Sequence, residues 1–109
     1  MDRVAYTVII TFSEPELVPQ YVSWLSGGHI RQVCEAGALS GLVVLLDPAL
    51  DELPTLEVRY LFPSRAALER YLTDHAPRLR AEGLARFGPA SGVTYRRTTG
   101  TVTHVETNQ

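Results

Sequence analysis

Residues Arg3 to Phe12 alternate between two faces, with Val4, Tyr6, Val8, Ile10 and Phe12 on one and Arg3, Ala5, Thr7, Ile9 and Thr11 on the other. A period of two marks a strand with unlike faces, so the chain opens with one. Tyr21, Val22, Trp24 and Leu25 follow at helical spacing. Proline inside a helix removes a hydrogen bond and clashes with the preceding turn, so this helix is expected from about Pro19. The pair Gly27-Gly28 interrupts it, because two adjacent glycines cost about 2 kcal/mol of helix propensity relative to alanine. Ile30, Val33 and Cys34 resume the stripe, and Gly37 stands where a left-handed C-terminal cap is expected.

The next apolar run, Leu42-Val43-Val44-Leu45-Leu46, has no alternation and predicts a strand over Leu39 to Leu46 that is buried on both faces. Turn-forming residues fill Asp47 to Pro54. Thr55 to Phe62 alternates again, Leu56, Val58, Tyr60 and Phe62 against Thr55, Glu57, Arg59 and Leu61, and pairs with the preceding strand as a hairpin. Ser64 can cap a second helix whose stripe is Leu68, Tyr71, Leu72, His75 and Leu79, bent or restarted by Pro77 and ended by Gly88-Pro89. Val93 to about Val105 is the last strand.

Strand, helix, strand, strand, helix, strand is the order of a ferredoxin-like α+β fold, with a four-stranded antiparallel sheet and two helices on one face. A single domain over residues 1–109 accounts for the whole chain. Two helices cover one sheet face only, so a strand buried on both faces needs further cover. The simplest source is a second copy, giving a homodimer joined through the sheet face opposite the helices.

Composition narrows the function classes. An apolar fraction of 45% with 20% charged residues is ordinary for a soluble domain, and no apolar run is long enough to cross a bilayer. The N-terminus alternates like a strand rather than a secretory leader, so a cytoplasmic location is expected. A net charge of −2 without a basic run argues against nucleic acid. Cys34 is the sole cysteine and no Cys/His cluster has ligand spacing, so neither metal nor cofactor is expected. All ten basic side chains are arginine. A coding bias explains that most simply; guanidinium forks for carboxylates are the functional alternative.

Trp24, His29-Ile30, Val33 and Gly37, then Tyr71, His75-Ala76-Pro77-Arg78-Leu79-Arg80-Ala81-Glu82 and Arg86-Phe87-Gly88, resemble a bacterial domain-of-unknown-function family in the ferredoxin-like dimeric α/β-barrel superfamily. The resemblance implies a dimeric α/β barrel. It also implies kinship with cofactor-free monooxygenases, haem-degrading enzymes, isomerases and ligand-sensing domains, among which fold does not choose. Two positions depart from the family pattern: Arg31 stands where proline is usual and Gly83 where a histidine is usual.

His29 and His75 are the candidate acid-base groups. His29 follows the glycine pair, where an imidazole could face a cleft and titrate near neutrality or satisfy free amides at a helix start. His75 lies on the apolar stripe of the second helix, as a base or a packing residue. Haem-degrading relatives add an asparagine on the first strand and a tryptophan on the second helix; here the only asparagine is Asn108 and the second helix has no tryptophan. Trp24 could wall a ligand pocket or fill the core. Arg59 and Tyr95 are the candidate polar ligand contacts, Arg59 sharing a strand face with Glu57, with which an ion pair is the plainer alternative. These residues lead to two readings. One is a dimeric barrel that binds a small organic molecule, with cofactor-independent acid-base or oxygenase-type chemistry. The other is a non-catalytic dimerisation or regulatory module with a filled interior.

Overall fold

The computed structural model describes residues 2–108, so the two ends of the domain expected over 1–109 lie outside the described residues. Four strands, β1 (Val4–Phe12), β2 (Ser40–Leu45), β3 (Thr55–Phe62) and β4 (Val93–Thr101), form one antiparallel sheet in the order β2-β3-β1-β4. The first helical region is α1 (Leu17–Trp24), a π-helical turn (Leu25–His29) and α2 (Ile30–Glu35); the second is α3 (Arg65–Asp74) and α4 (Ala76–Arg86). The α+β class and the ferredoxin-like strand order agree with the sequence pattern.

The barrel does not. The sheet is open: β2 and β4 are its two edges, with no hydrogen bonds joining them. Four strands are too few to close on themselves, since about eight are needed before the interior can hold side chains. The two expected helices are each in two pieces, divided where Gly27-Gly28 and Pro77 predict.

Local chemistry explains these breaks. α1 begins at Leu17, two residues before the expected start, because Pro19 falls in its first turn, where a backbone N–H has no intrahelical partner to lose. α2 ends in a Schellman motif: Gly37, at φ 130°, donates to Cys34 and Ala38 donates to the Val33 carbonyl at 3.2 Å. Ser64 caps α3 by accepting the Ala67 N–H at 3.1 Å. Pro77 lacks the amide that would continue α3, so that helix stops at Asp74 and α4 restarts with the proline in its first turn.

The helices cover the sheet face carrying Val4, Tyr6, Ile10 and Phe12 from β1 and Leu56, Val58, Tyr60 and Phe62 from β3, all buried in the main core with Leu68 and Leu79 from above. The opposite face has no cover within the chain. Direct pairs place Leu42 beside Arg59 and Val44 beside Glu57, and Arg59 and Glu57 beside Thr7 and Ile9, so all six share that open face. The run at β2 is therefore not buried on both sides in the chain alone: Leu42 is 57% and Leu45 58% exposed. β4 ends at Thr101, short of the expected Val105, and no described helix is long and apolar enough to cross a membrane.

Two substitutions test this account by urea unfolding. Phe62→Ala, at a fully buried ring, should cost about 3–5 kcal/mol. Ser64→Ala, which removes the cap of α3, should cost about 1 kcal/mol.

Candidate functional site

Between the sheet and the helices lies a cavity of about 190 Å³. All five tyrosines of the chain line it, Tyr6 from β1, Tyr21 from α1, Tyr60 from β3, Tyr71 from α3 and Tyr95 from β4, together with the only tryptophan, Trp24. His29, Arg80, Gly83 and Arg97 complete its polar and open positions. A tyrosine facing a core brings a hydroxyl that phenylalanine would not, and that hydroxyl needs a partner or space. Tyr21 and Tyr95 share a hydrogen bond at 3.1 Å, and Tyr6 accepts one from Arg80 Nη2 at 3.0 Å. The hydroxyls of Tyr60 and Tyr71 have no hydrogen-bond partner among the described residues.

The glycine pair builds one wall. In a regular α-helix, residues five apart point about 140° away from each other. The wider π turn, with Gly28 at φ 147°, a conformation that side-chain-bearing residues rarely adopt, removes that divergence. The His29 ring consequently stacks on Trp24 at 4.2 Å between centroids and 25° between planes. Tyr21 meets the same indole edge-on. Gly83 on α4 gives the indole room, since a Cβ there would stand 3.0 Å from its Cη2 atom.

Electrostatics set the protonation states. Burial holds the His29 imidazole below the ordinary histidine value, with Glu82 opposing it weakly, so the ring is neutral at pH 7. Its Nδ1 is buried without a hydrogen-bond partner in the chain. Burial pushes the Tyr71 phenol up to about 12, against the pull of Arg80, Arg97 and Arg78, and raises Tyr21 and Tyr60 further. Tyr21, Tyr60 and Tyr71 are thus phenols able to donate hydrogen bonds rather than phenolates.

The structure brings Trp24, His29 and Tyr95 together at this cavity, and leaves Arg59 and His75 outside it. His29 makes no side-chain hydrogen bond at the start of α2. Arg59 lies on the open sheet face, where its Nε and Nη2 donate to Glu57 at 2.9 and 2.8 Å. The sheet separates it from Tyr95. His75 sits half-buried at the α3–α4 junction, its N–H donating to the Tyr71 carbonyl and its own carbonyl accepting from Leu79. Tyr6, Tyr21, Tyr60, Tyr71, Arg80 and Arg97 were not singled out together from sequence. The available signal was tyrosine at core-facing positions of two strands and two helices.

A buried neutral histidine links stability to pH. The folded value lies below the ordinary value of about 6.5, so the unfolded chain binds the proton first. His29 leaves stability intact above that value and lowers it as pH falls through it toward the folded value. The loss of stability between pH 7.5 and 5.5 in urea unfolding should be smaller in His29→Phe than in the unmodified protein.

This architecture recurs in solved structures of low sequence identity. The chain is similar to a dimeric ferredoxin-like protein from an uncultured marine organism, at 10% identity, TM-score 0.70, and 97% and 100% coverage of the two chains. It is similar to a monooxygenase from the ActVA-Orf6 gene of Streptomyces coelicolor in complex with nanaomycin D, at 15% identity, TM-score 0.70, and 99% and 94% coverage. It is also similar to SnoaB, a cofactor-independent oxygenase from Streptomyces nogalater, at 14% identity, TM-score 0.63, and 96% and 97% coverage. Identities this low establish a shared fold and nothing finer. No curated protein sequence matches the chain. A family model does: it spans residues 4–99, from the first residue of β1 nearly to the end of β4 and so across every element that builds the cavity, and the chain accordingly belongs to that family, the domain of unknown function DUF4286.

Proposed function

We propose that the protein is a homodimer that binds a small organic molecule in the cavity between sheet and helices and carries out cofactor-independent acid-base chemistry there, of oxygenase type. The observation that carries this reading is the convergence of all five tyrosines, the single tryptophan and the neutral His29 on one cavity. Apolar walls with a few converging polar groups are the usual make-up of a small-molecule site. A module serving only for dimerisation would be expected to fill this space. The volume is below the ordinary range for drug-sized ligands, about 300–1,000 Å³, which favours one- or two-ring molecules.

In this reading His29 is the base. Its neutral imidazole takes a proton from an acidic O–H or C–H of the bound molecule, leaving an electron-rich anion that tyrosine hydroxyls stabilise by donating hydrogen bonds. Reaction of such an anion with O2 needs no metal or flavin when the anion itself is the reductant. The oxygenases among the structurally similar proteins are consistent with this chemistry.

The dimer is drawn from the open sheet face. Ile9, Leu42, Val44 and Leu61 give it apolar surface, and soluble monomers rarely leave large patches of that kind in water. Two copies meeting through this face would cover it and leave each cavity, on the other side of the sheet, in place.

Two measurements test these proposals. With a panel of one- and two-ring hydroquinones and naphthols, the unmodified protein should consume O2 and His29→Gln should do so roughly 100-fold more slowly; equal rates would remove His29 from the chemistry. Light scattering at micromolar concentration should give about twice the chain mass, and Leu61→Arg should shift it toward the monomer. A well-folded monomer of the unmodified protein would overturn the assignment of the open face.

A further inference from the structure

The cavity has cations and no anion of its own. Arg80 on α4 and Arg97 on β4 reach it from opposite layers, and no aspartate or glutamate lines it. Of the ten arginines, Arg80 and Arg97 are the two that line the cavity. Among the described residues neither Arg80 nor Arg97 is in an ion pair. Arg80 spends one donor on the Tyr6 hydroxyl, and the Arg97 guanidinium lies 5.4 Å from the centre of the Tyr95 ring. A guanidinium has five donors, so both retain most of theirs. Arg80 meets the hydroxyl of Tyr6 on β1, and Arg97 pairs across from Val8, two residues along on the same face of that strand. Another wall is the flat Trp24–His29 stack, apolar on its faces.

We propose that the ligand is a flat organic acid, its carboxylate held by Arg80 and Arg97 at the mouth and its ring lying against the Trp24–His29 stack. This rests on the small-molecule reading above and adds the charge class that the reading leaves open. A carboxylate fits the planar fork of a guanidinium through two parallel N–H bonds. Both arginines are exposed at their outer ends, so each contact is partly screened and should contribute about five- to tenfold in affinity rather than more. The acid would supply the negative charge that the lining lacks, and Tyr60 and Tyr71 would find acceptors for free hydroxyls.

The single tryptophan gives a local readout, because the protein has one indole N–H signal in its nuclear magnetic resonance spectrum and that indole walls the cavity. The probes are 2-naphthoate and its near-isosteric neutral amide, 2-naphthamide, titrated while following the Trp24 indole signal. Naphthoate should bind at least about tenfold more tightly than the amide, and 0.5 M salt should narrow the gap. Arg80→Gln and Arg97→Gln should each weaken naphthoate about five- to tenfold with the amide unchanged, and the double variant should abolish the preference. Arg97→Lys, which keeps the charge without the fork, should restore part of it. Equal affinities of the two probes, or a preference that survives in the double variant with its fold intact by the same spectrum, would overturn the acid assignment and leave cavity binding standing. An indole signal that neither probe moves would overturn both.

Discussion

The antiparallel register of β1 against β3 is the constraint on which everything else depends. It sets Tyr6 opposite Tyr60 and Val8 opposite Val58, and with β1 against β4 it adds Arg97 opposite Val8 and Tyr95 opposite Ile10. In a sheet a slip of one residue would turn each of these side chains to the other face. The tyrosines would then point into water and Glu57 and Arg59 into the core. Alternation in the two central strands makes that slip costly: the four core residues of whichever strand slipped would leave the helix-covered side together. The cavity is therefore a consequence of strand register before it is a consequence of any helix.

The helices decide that the space beneath them remains open. A ferredoxin-like layer can be packed solid with leucine and phenylalanine, as the two ends of this one, near Phe12 and near Phe62, are. Around Trp24 the chain uses other means. Gly27 and Gly28 widen a helical turn so that His29 doubles the indole rather than pointing away from it, and Gly83 withdraws a side chain where Trp24 needs room. Polar hydroxyls then face polar hydroxyls across the gap, as with Tyr21 and Tyr95. Glycine in a helix is destabilising relative to alanine by about 1 kcal/mol, so glycines concentrated around one cavity, with a bare imidazole nitrogen beside them, give up stability at a place where a ligand could use the space.

The two faces of the sheet thus have different tasks. On one, aromatic rings and two arginines that are in no ion pair among the described residues surround a cavity. On the other, the Glu57–Arg59 pair satisfies itself beside Leu42 and Val44, with the exposed Arg96 next to Ile9. The open sheet face leaves Leu42 of the edge strand β2 57% exposed on the side away from the cavity.

The amino-acid sequence by itself determined the elements, their order and their faces, because period two in β1 and β3, the Ser64 cap, the Gly37 stop and the Pro77 restart are local chemistry. It also determined the candidacy of Trp24, His29 and Tyr95, by residue type and by the glycine pair beside two of them. It could not determine closure: a four-stranded sheet and a barrel share the same strand patterns, and only the pairing of edges distinguishes them. Nor could it determine which candidates meet. Arg59 and Tyr95 belong to strands that do not neighbour each other, and whether their side chains share a face depends on the register of both against β1, a non-local property. Tyr6, Arg80 and Arg97 are separated by tens of residues along the chain and join only when α4 crosses above β1 and β4. The tertiary structure decided the site because a cavity is defined by what several elements leave unfilled, and no stretch of sequence contains that information.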